Sequence, residues 1–159
     1  MAEASISKPV SITGMIPHLV CSDAAAAMEF YKQAFGAEEQ MRLVGESGSV
    51  VHASFEIGGF PVMLGSENLA HAVRGPKSLE GTPVTVHLSV DDVDAAFAHV
   101  VACGATAIME VADMFWGDRY GVVEDPFGHR WSLATRQRDM TIEEIHAAMA
   151  EQMSNLGKA

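Results

Sequence analysis

Seven histidines and two cysteines carry much of the acid–base and ligating chemistry open to this chain. Two of the histidines stand in related phrases, HLVCSDAAAA from His18 and HLSVDDVDAA from His87. Each sits on a strand-like run just before an aspartate able to start a helix. An imidazole there can hydrogen-bond a ligand, serve as acid or base near neutral pH, or ligate a transition metal. A second constellation is FWGDRYG at 115–121. In it Trp116 offers a stacking face and Arg119 a fixed cation for a carboxylate, phosphate or oxygenated ring. Cys21 and Cys103 form no CxxC and lie in no nucleophile motif, so they read as reduced, non-catalytic thiols of a cytoplasmic protein. GESG and GGF lack the Lys-Ser or Lys-Thr helix start of a phosphate cradle and read as hairpin turns.

These groups need a scaffold, and the pattern of the chain supplies one. Apolar residues make up 48% of 159, enough for one domain or two small packed halves. A short strand in GMIPHLVCS leads to a helix over AAAAMEFYKQAF, with Met28, Tyr31 and Phe35 as its inward stripe and Gly36 as its stop. Three strand-like runs follow, EQMRLVG, SVVHASFEI and FPVMLGS. After a polar loop the programme repeats: PVTVHLSV, a helix capped by Asp91 or Asp92, then TAIMEVA, RYGVVED and HRWSLAT. His87 follows His18 by 69 residues, and the same spacing pairs Asp23 with Asp92, Gly59 with Gly128 and Leu64 with Leu133. A repeat matching at both its beginning and its end is architectural.

The expected organisation is α+β. It comprises a loose arm over 1–13, a first βαβββ module over 14–68, a linker loop over 69–82, a second module over 83–136 and a C-terminal helix over 137–159. In that last helix Thr141 and Glu144 form a capping box, and Ile142, Ile145, Met149 and Met153 make an apolar stripe.

Tandem βαβββ units, with HLVCSDAAAAMEFYKQAFGA early and FWGDRYGVVEDPFGHRWSLAT late, resemble the vicinal oxygen chelate superfamily of glyoxalase I, extradiol dioxygenases and bleomycin-resistance proteins. The DPFGHRW phrase is similar to the glyoxalase/bleomycin-resistance-like, phosphonate-metabolism-B-like subgroup. The resemblance implies two half-barrel sheets around a cavity. It also implies metal-ligand positions on the first and last strands of each module, here Ile16, Met63, Thr85 and Ser132. None of these is a good ligand for zinc, nickel or iron. The expectation is therefore a metal-free protein without a cofactor. A divalent ion at His18 and His87, completed by His52 or Glu56, is the alternative, and would make a glyoxalase-type lyase, isomerase or dioxygenase.

Whether the chain is an enzyme stays open at this point. The leading expectation is binding, or sequestration, of a small organic molecule in an inter-module cavity. Its contacts would be His18, Met63, Thr85, His87, Trp116, Arg119 and Ser132. The resemblance also implies a homodimer. Acidic residues outnumber basic ones 21 to 10, and the net charge of −11 disfavours nucleic acid and anionic lipid. No apolar run approaches the ~18 residues that span a bilayer, and MAEASISKPV lacks the features of a signal peptide.

Overall fold

A computed structural model describes residues 13–156. The arm expected over 1–13 falls, except for Thr13, outside the described residues. The first module runs β1 (His18–Cys21), α1 (Ala24–Phe35), β2 (Glu38–Val44), β3 (Val50–Ile57) and β4 (Phe60–Ser66). The stretch expected as a linker contains a 3-10 turn at Leu69–His71 and a short helix, α2 (Pro76–Leu79). The second module repeats the order with β5 (Thr85–Ser89), α3 (Val93–Ala102), β6 (Thr106–Asp113), β7 (Asp118–Glu124) and β8 (Arg130–Arg136). The chain closes with α4 (Ile142–Leu156). Among the described residues no helix is long and apolar enough to cross a membrane.

Each module folds into its own four-stranded mixed sheet, ordered β1-β4-β3-β2 and β5-β8-β7-β6. The repeat seen in the sequence is kept in the register. His18 lies beside Met63 in the parallel pair β1–β4, and His87 beside Ser132 in β5–β8, each 69 residues on. Both crossover helices begin alike, with the Asp23 and Asp92 carboxylates accepting from the N–H of Ala26 and Ala95 at 3.0 Å. The hairpins differ. Gly58 and Gly59 both take positive φ, so Ile57 and Phe60 pair across a two-residue turn. In the second module, by contrast, the partners Glu124 and Arg130 are joined by the longer turn Asp125–His129.

Strand alternation then sorts the side chains. Leu19, Ala53, Phe55, Val62 and Leu64 are buried beneath α1, against Ala27, Met28 and Tyr31. Gly121, Val123, Trp131 and Leu133 lie beneath Phe97 and Val100 of α3. The modules join where Tyr31 stacks on Phe55 at 5.4 Å and meets the Trp131 ring at 5.4 Å. The Phe35 ring lies 4.7 Å from that of Trp131.

Asp125, only 2% exposed, sits at this junction. Its carboxylate accepts from Tyr31 Oη at 2.7 Å, Trp131 Nε1 at 2.9 Å, and the backbone N–H groups of Phe127 and His129 at 2.9 and 3.0 Å. Two further bonds cross the junction: His129 Nε2 donates to the Val20 carbonyl, and His99 Nε2 to that of Gln33. Among the described residues no buried side-chain polar atom lacks a partner.

The capping box of α4 forms as expected. The Thr141 N–H donates to Glu144 Oε2 at 2.7 Å, and the Glu144 N–H donates to Thr141 Oγ1 at 3.2 Å. Ile142, Met149 and Met153 remain exposed.

Two expectations follow from this packing. Asp125→Ala leaves the Trp131 N–H buried without an acceptor and the Tyr31 hydroxyl with only the Cys21 sulfur at 4.0 Å, so we expect a loss of about 3 kcal/mol, read as a melting temperature lower by about 6–12 °C. Tyr31→Phe should cost less, since the carboxylate keeps three donors; equal melting temperatures for the two variants would contradict the network. Cys21 is fully buried, and burial first, then the Asp125 charge, pushes its thiol from 9.0 up to about 12. The unfolded chain therefore loses this proton first. Its contribution to stability is intact below pH 9.0 and is lost as pH climbs towards 12. Cys21→Ala should flatten that alkaline decline in a denaturation series. In native protein a thiol reagent should titrate only about one equivalent, the half-buried Cys103.

Candidate functional site

The face of each sheet turned away from its helix carries the same four-residue row. In the first module the row is His18, Met63, Ser54 and Met41. In the second it is His87, Ser132, Val122 and Met109. Strand pairing therefore places four of the expected contacts, His18, Met63, His87 and Ser132, in these rows. In this register the neighbour of Met63 is His18, while Ile16 precedes β1, and the neighbour of Ser132 is His87, two residues beyond Thr85.

Each imidazole is surrounded by its own sheet. The His18 ring stands edge-on to that of His52 at 5.3 Å. It leans across Gly65, where a Cβ would come 3.6 Å from His18 Nε2 and 2.8 Å from the Val51 carbonyl oxygen. The glycine leaves that passage open. His87 Nδ1 bonds Ser132 Oγ at 2.8 Å, so the buried hydroxyl is satisfied, and its ring stacks on Tyr120 at 6.3 Å. Trp116, half-buried in the turn before β7, meets the Tyr120 ring edge-on at 5.7 Å. Its Nε1 donates to Asp118 Oδ2, while Asp118 Oδ1 accepts from Arg136 Nε at 2.8 Å.

His87, Ser132 and Trp116 are thus brought together by Tyr120, beside a polar basin of about 440 Å³ lined by His87, Ser89, Asp91, Asp118, Thr135 and Arg136. Thr85 lies further along the same face, next to Arg130.

Arg119 is elsewhere. It pairs with Thr135, on the alternation opposite to Ser132, and so faces α3. Its guanidinium grips Asp94 with two bonds of 2.6 and 2.7 Å and Asp113 with one of 3.0 Å. These bonds raise its pKa, with the Asp94 pair the larger cause. A cation held by two carboxylates is a clasp between α3, β6 and β7.

A second and larger hollow than the basin lies away from both histidine rows except at His87. It is a cleft of about 900 Å³ between the modules. On one side it is walled by α1 and the β3–β4 hairpin, and on the other by β5 and α3. Ile57, Phe60, Val62, Val86, Val100 and Trp131 give it a hydrocarbon surface, and no Asp, Glu, Lys or Arg contributes to the lining. His87 and Ser89 border both cleft and basin, so β5 is the partition between them. Of the seven contacts expected from the sequence, only His87 reaches this cleft. The sequence reading missed Phe60 and Val100. His52, weighed there only as a third metal ligand, stands two residues from Ser54 on the same face.

The superfamily resemblance brings with it a possible metal, and the donor chemistry here does not fit one. Ile16 has no donor atom, Ser132 is already bonded to His87, and Met63 offers a thioether. Among the described residues no three His, Cys, Asp or Glu side chains gather closely enough to hold an ion.

Comparison with known proteins agrees with the fold. An uncharacterised protein of Mycobacterium tuberculosis is 49% identical over 140 residues, covering 86% of this chain and 82% of that one. The X-ray structure of the Arabidopsis thaliana gene product At5g48480 is 30% identical with a TM-score of 0.66, covering 78% of this chain and 99% of that one. TioX from Micromonospora sp. ML1 superimposes with a TM-score of 0.62 at 28% identity, over 78% of this chain and 98% of its own. With residues 12–133 matched by the family's sequence model, the chain belongs to the Glyoxalase/Bleomycin resistance protein/Dioxygenase superfamily.

Proposed function

We propose that the protein binds a small, uncharged and largely apolar organic molecule in the inter-module cleft, and holds it out of water. The observation that carries this reading is the cleft itself: about 900 Å³, walled mostly by hydrocarbon and aromatic groups, with His87, Ser89 and His99 as polar points on one wall and Gln33 on the other. Ligand sites of this kind commonly occupy 300–1,000 Å³ and combine an apolar lining with a few polar groups that fix orientation. The lining lacks ionised side chains, so a charged ligand would lose its hydration without compensation. It also lacks a cysteine, and its only hydroxyl is that of Ser89. The reading is therefore one of binding, without a nucleophilic or metal-assisted step.

A second copy of the chain completes the proposal. Met41 and Leu43 on the first sheet, Met109 on the second, and Ile142, Met149 and Met153 on α4 are all exposed. Apolar surface of that extent favours association. We expect a dimeric mass by light scattering at micromolar concentration, and a shift towards monomer on changing Met149 and Met153 to Glu. A monomer under those conditions would remove the dimer from the proposal while leaving the cleft untouched.

The cleft is tested with N-phenyl-1-naphthylamine, an uncharged fluorophore that brightens in apolar surroundings. Saturable binding at one site per chain is expected. Val100→Phe, which places a ring in the space, should weaken it by about tenfold or more. Binding that is absent, or indifferent to Val100→Phe, would reject the cleft as the site.

A further inference from the structure

The two halves of the inter-module contact are related by the repeat, yet only one of them is filled. In the filled half the β7–β8 hairpin reaches α1 and β1. There Asp125 gathers Tyr31 and Trp131, and Phe127 packs against Phe30 with rings 6.4 Å apart. β1 is an edge strand, and the Pro17 and Cys21 carbonyls accept from Met63 and Glu67 on the β4 side. In a parallel ladder alternate residues point the other way, so Val20 turns its carbonyl to the free edge. There His129 Nε2 meets it at 2.9 Å.

In the open half the β3–β4 hairpin faces α3 and β5 across the cleft. Counting along the matched strands and helices, Ile57 stands where Asp125 does and Val62 where Trp131 does. Val100 likewise corresponds to Tyr31, and Phe60 to His129. Phe127 has no counterpart, because the first hairpin is one residue shorter. Ile57, Phe60, Val62 and Val100 all line the cleft.

β5 is the edge strand on this side. The Val90 N–H donates to the Ala134 carbonyl, so His87 and Ser89 turn their backbone groups to the free edge. Ser89 is the counterpart of Val20. Phe60, unlike His129, has no proton to give, and among the described residues no donor from outside the β5–β8 ladder reaches the Ser89 carbonyl.

We infer that the cleft selects an uncharged aromatic molecule bearing an O–H or N–H group, which bonds the Ser89 carbonyl as His129 bonds that of Val20. The inference rests on the cleft being the ligand site. The aromatic body takes the space that Tyr31, Phe127 and Trp131 fill in the other half. The donor answers the Ser89 carbonyl, which the edge of β5 presents without a protein partner among the described residues. A molecule with the same rings and no donor leaves that carbonyl desolvated and unpaired.

The test compares 2-naphthol with 2-methoxynaphthalene, which share a ring system and differ in the donor. Both are titrated into the full-length protein and followed by backbone amide NMR. We expect both to shift amides lining the cleft, and 2-naphthol to bind about tenfold more tightly. Phe60→His supplies the donor found in the other half, so it should bring 2-naphthol down to the affinity of the ether. Phe60→Leu, which adds no donor, should preserve the difference. Equal affinities in the unaltered protein, or the same response from the His and Leu variants, would overturn the donor inference while leaving the cleft as a ligand site. Failure of both compounds to shift the cleft amides would overturn the cleft reading, and the inference with it.

Discussion

A buried carboxylate holding four donors and no cation is the constraint on which the arrangement of this molecule rests. Taking Asp125 out of water carries a penalty that only complete hydrogen bonding offsets. Its bonds come from α1, from β8 and from its own turn, so one side chain ties three pieces of backbone to a common point. Tyr31 is drawn down between Phe55 and Trp131 as a result, and the first helix is fixed against the second module. Aromatic packing alone would tolerate sliding. The hydroxyl and indole N–H make the position specific, because a shift of an ångström or two strands a polar atom in the core.

That clamp also decides where chemistry can occur. With β1 held against the β7–β8 hairpin by His129, the histidine rows remain on separate sheets, each provided with partners of its own. The imidazole of the second row is committed to a buried serine and stacked on a tyrosine, and the two imidazoles of the first module stand edge-on to one another. Such rows can orient a polar group or stack on a ring. They do not converge to make a coordination sphere within one chain. The larger of the two spaces described lies along the edge of β5, where the clamp has no counterpart.

The fold was legible because its signals are local and repeated. Aspartate caps, a helical stripe at Met28 and Tyr31, and alternating strands recur at a fixed spacing, and two copies of one pattern constrain each other. The His18 and His87 assignments to the open sheet faces followed from alternation, and the capping box of α4 from four adjacent residues. The same reasoning stopped short at Asp125, which reads locally as a turn residue. It does make the turn bonds to Phe127 and His129, but its partner Tyr31 is 94 residues away. Arg119 illustrates a different shortfall. Proximity to Trp116 in the sequence suggested a shared pocket, yet adjacent strand residues face opposite ways. Its partner Thr135 is three residues beyond Ser132, a parity already sufficient to send it towards Asp94. The cleft left no positive mark in the sequence. It arises from a hairpin one residue shorter, and from valines and a phenylalanine at places where the other half carries a tyrosine, a tryptophan and a histidine.

An opening of this kind is not what packing alone would favour. Each square ångström of apolar surface left facing water forgoes roughly 25 cal/mol, and Phe60, 75% exposed at the cleft, forgoes more than most residues here. The remedy lies within the same chain, since the filled half shows side chains that close the equivalent space and pair its free carbonyl. Substituting rings for Val62 and Val100 would move the open half towards that solution. The chain instead keeps small residues there and an unpaired backbone edge beside them. That combination sacrifices stability in the isolated protein, and an occupant supplying both ring and donor would restore it. The physical difference between the halves is therefore the strongest reason to regard the cleft as a place for a ligand rather than a defect of packing.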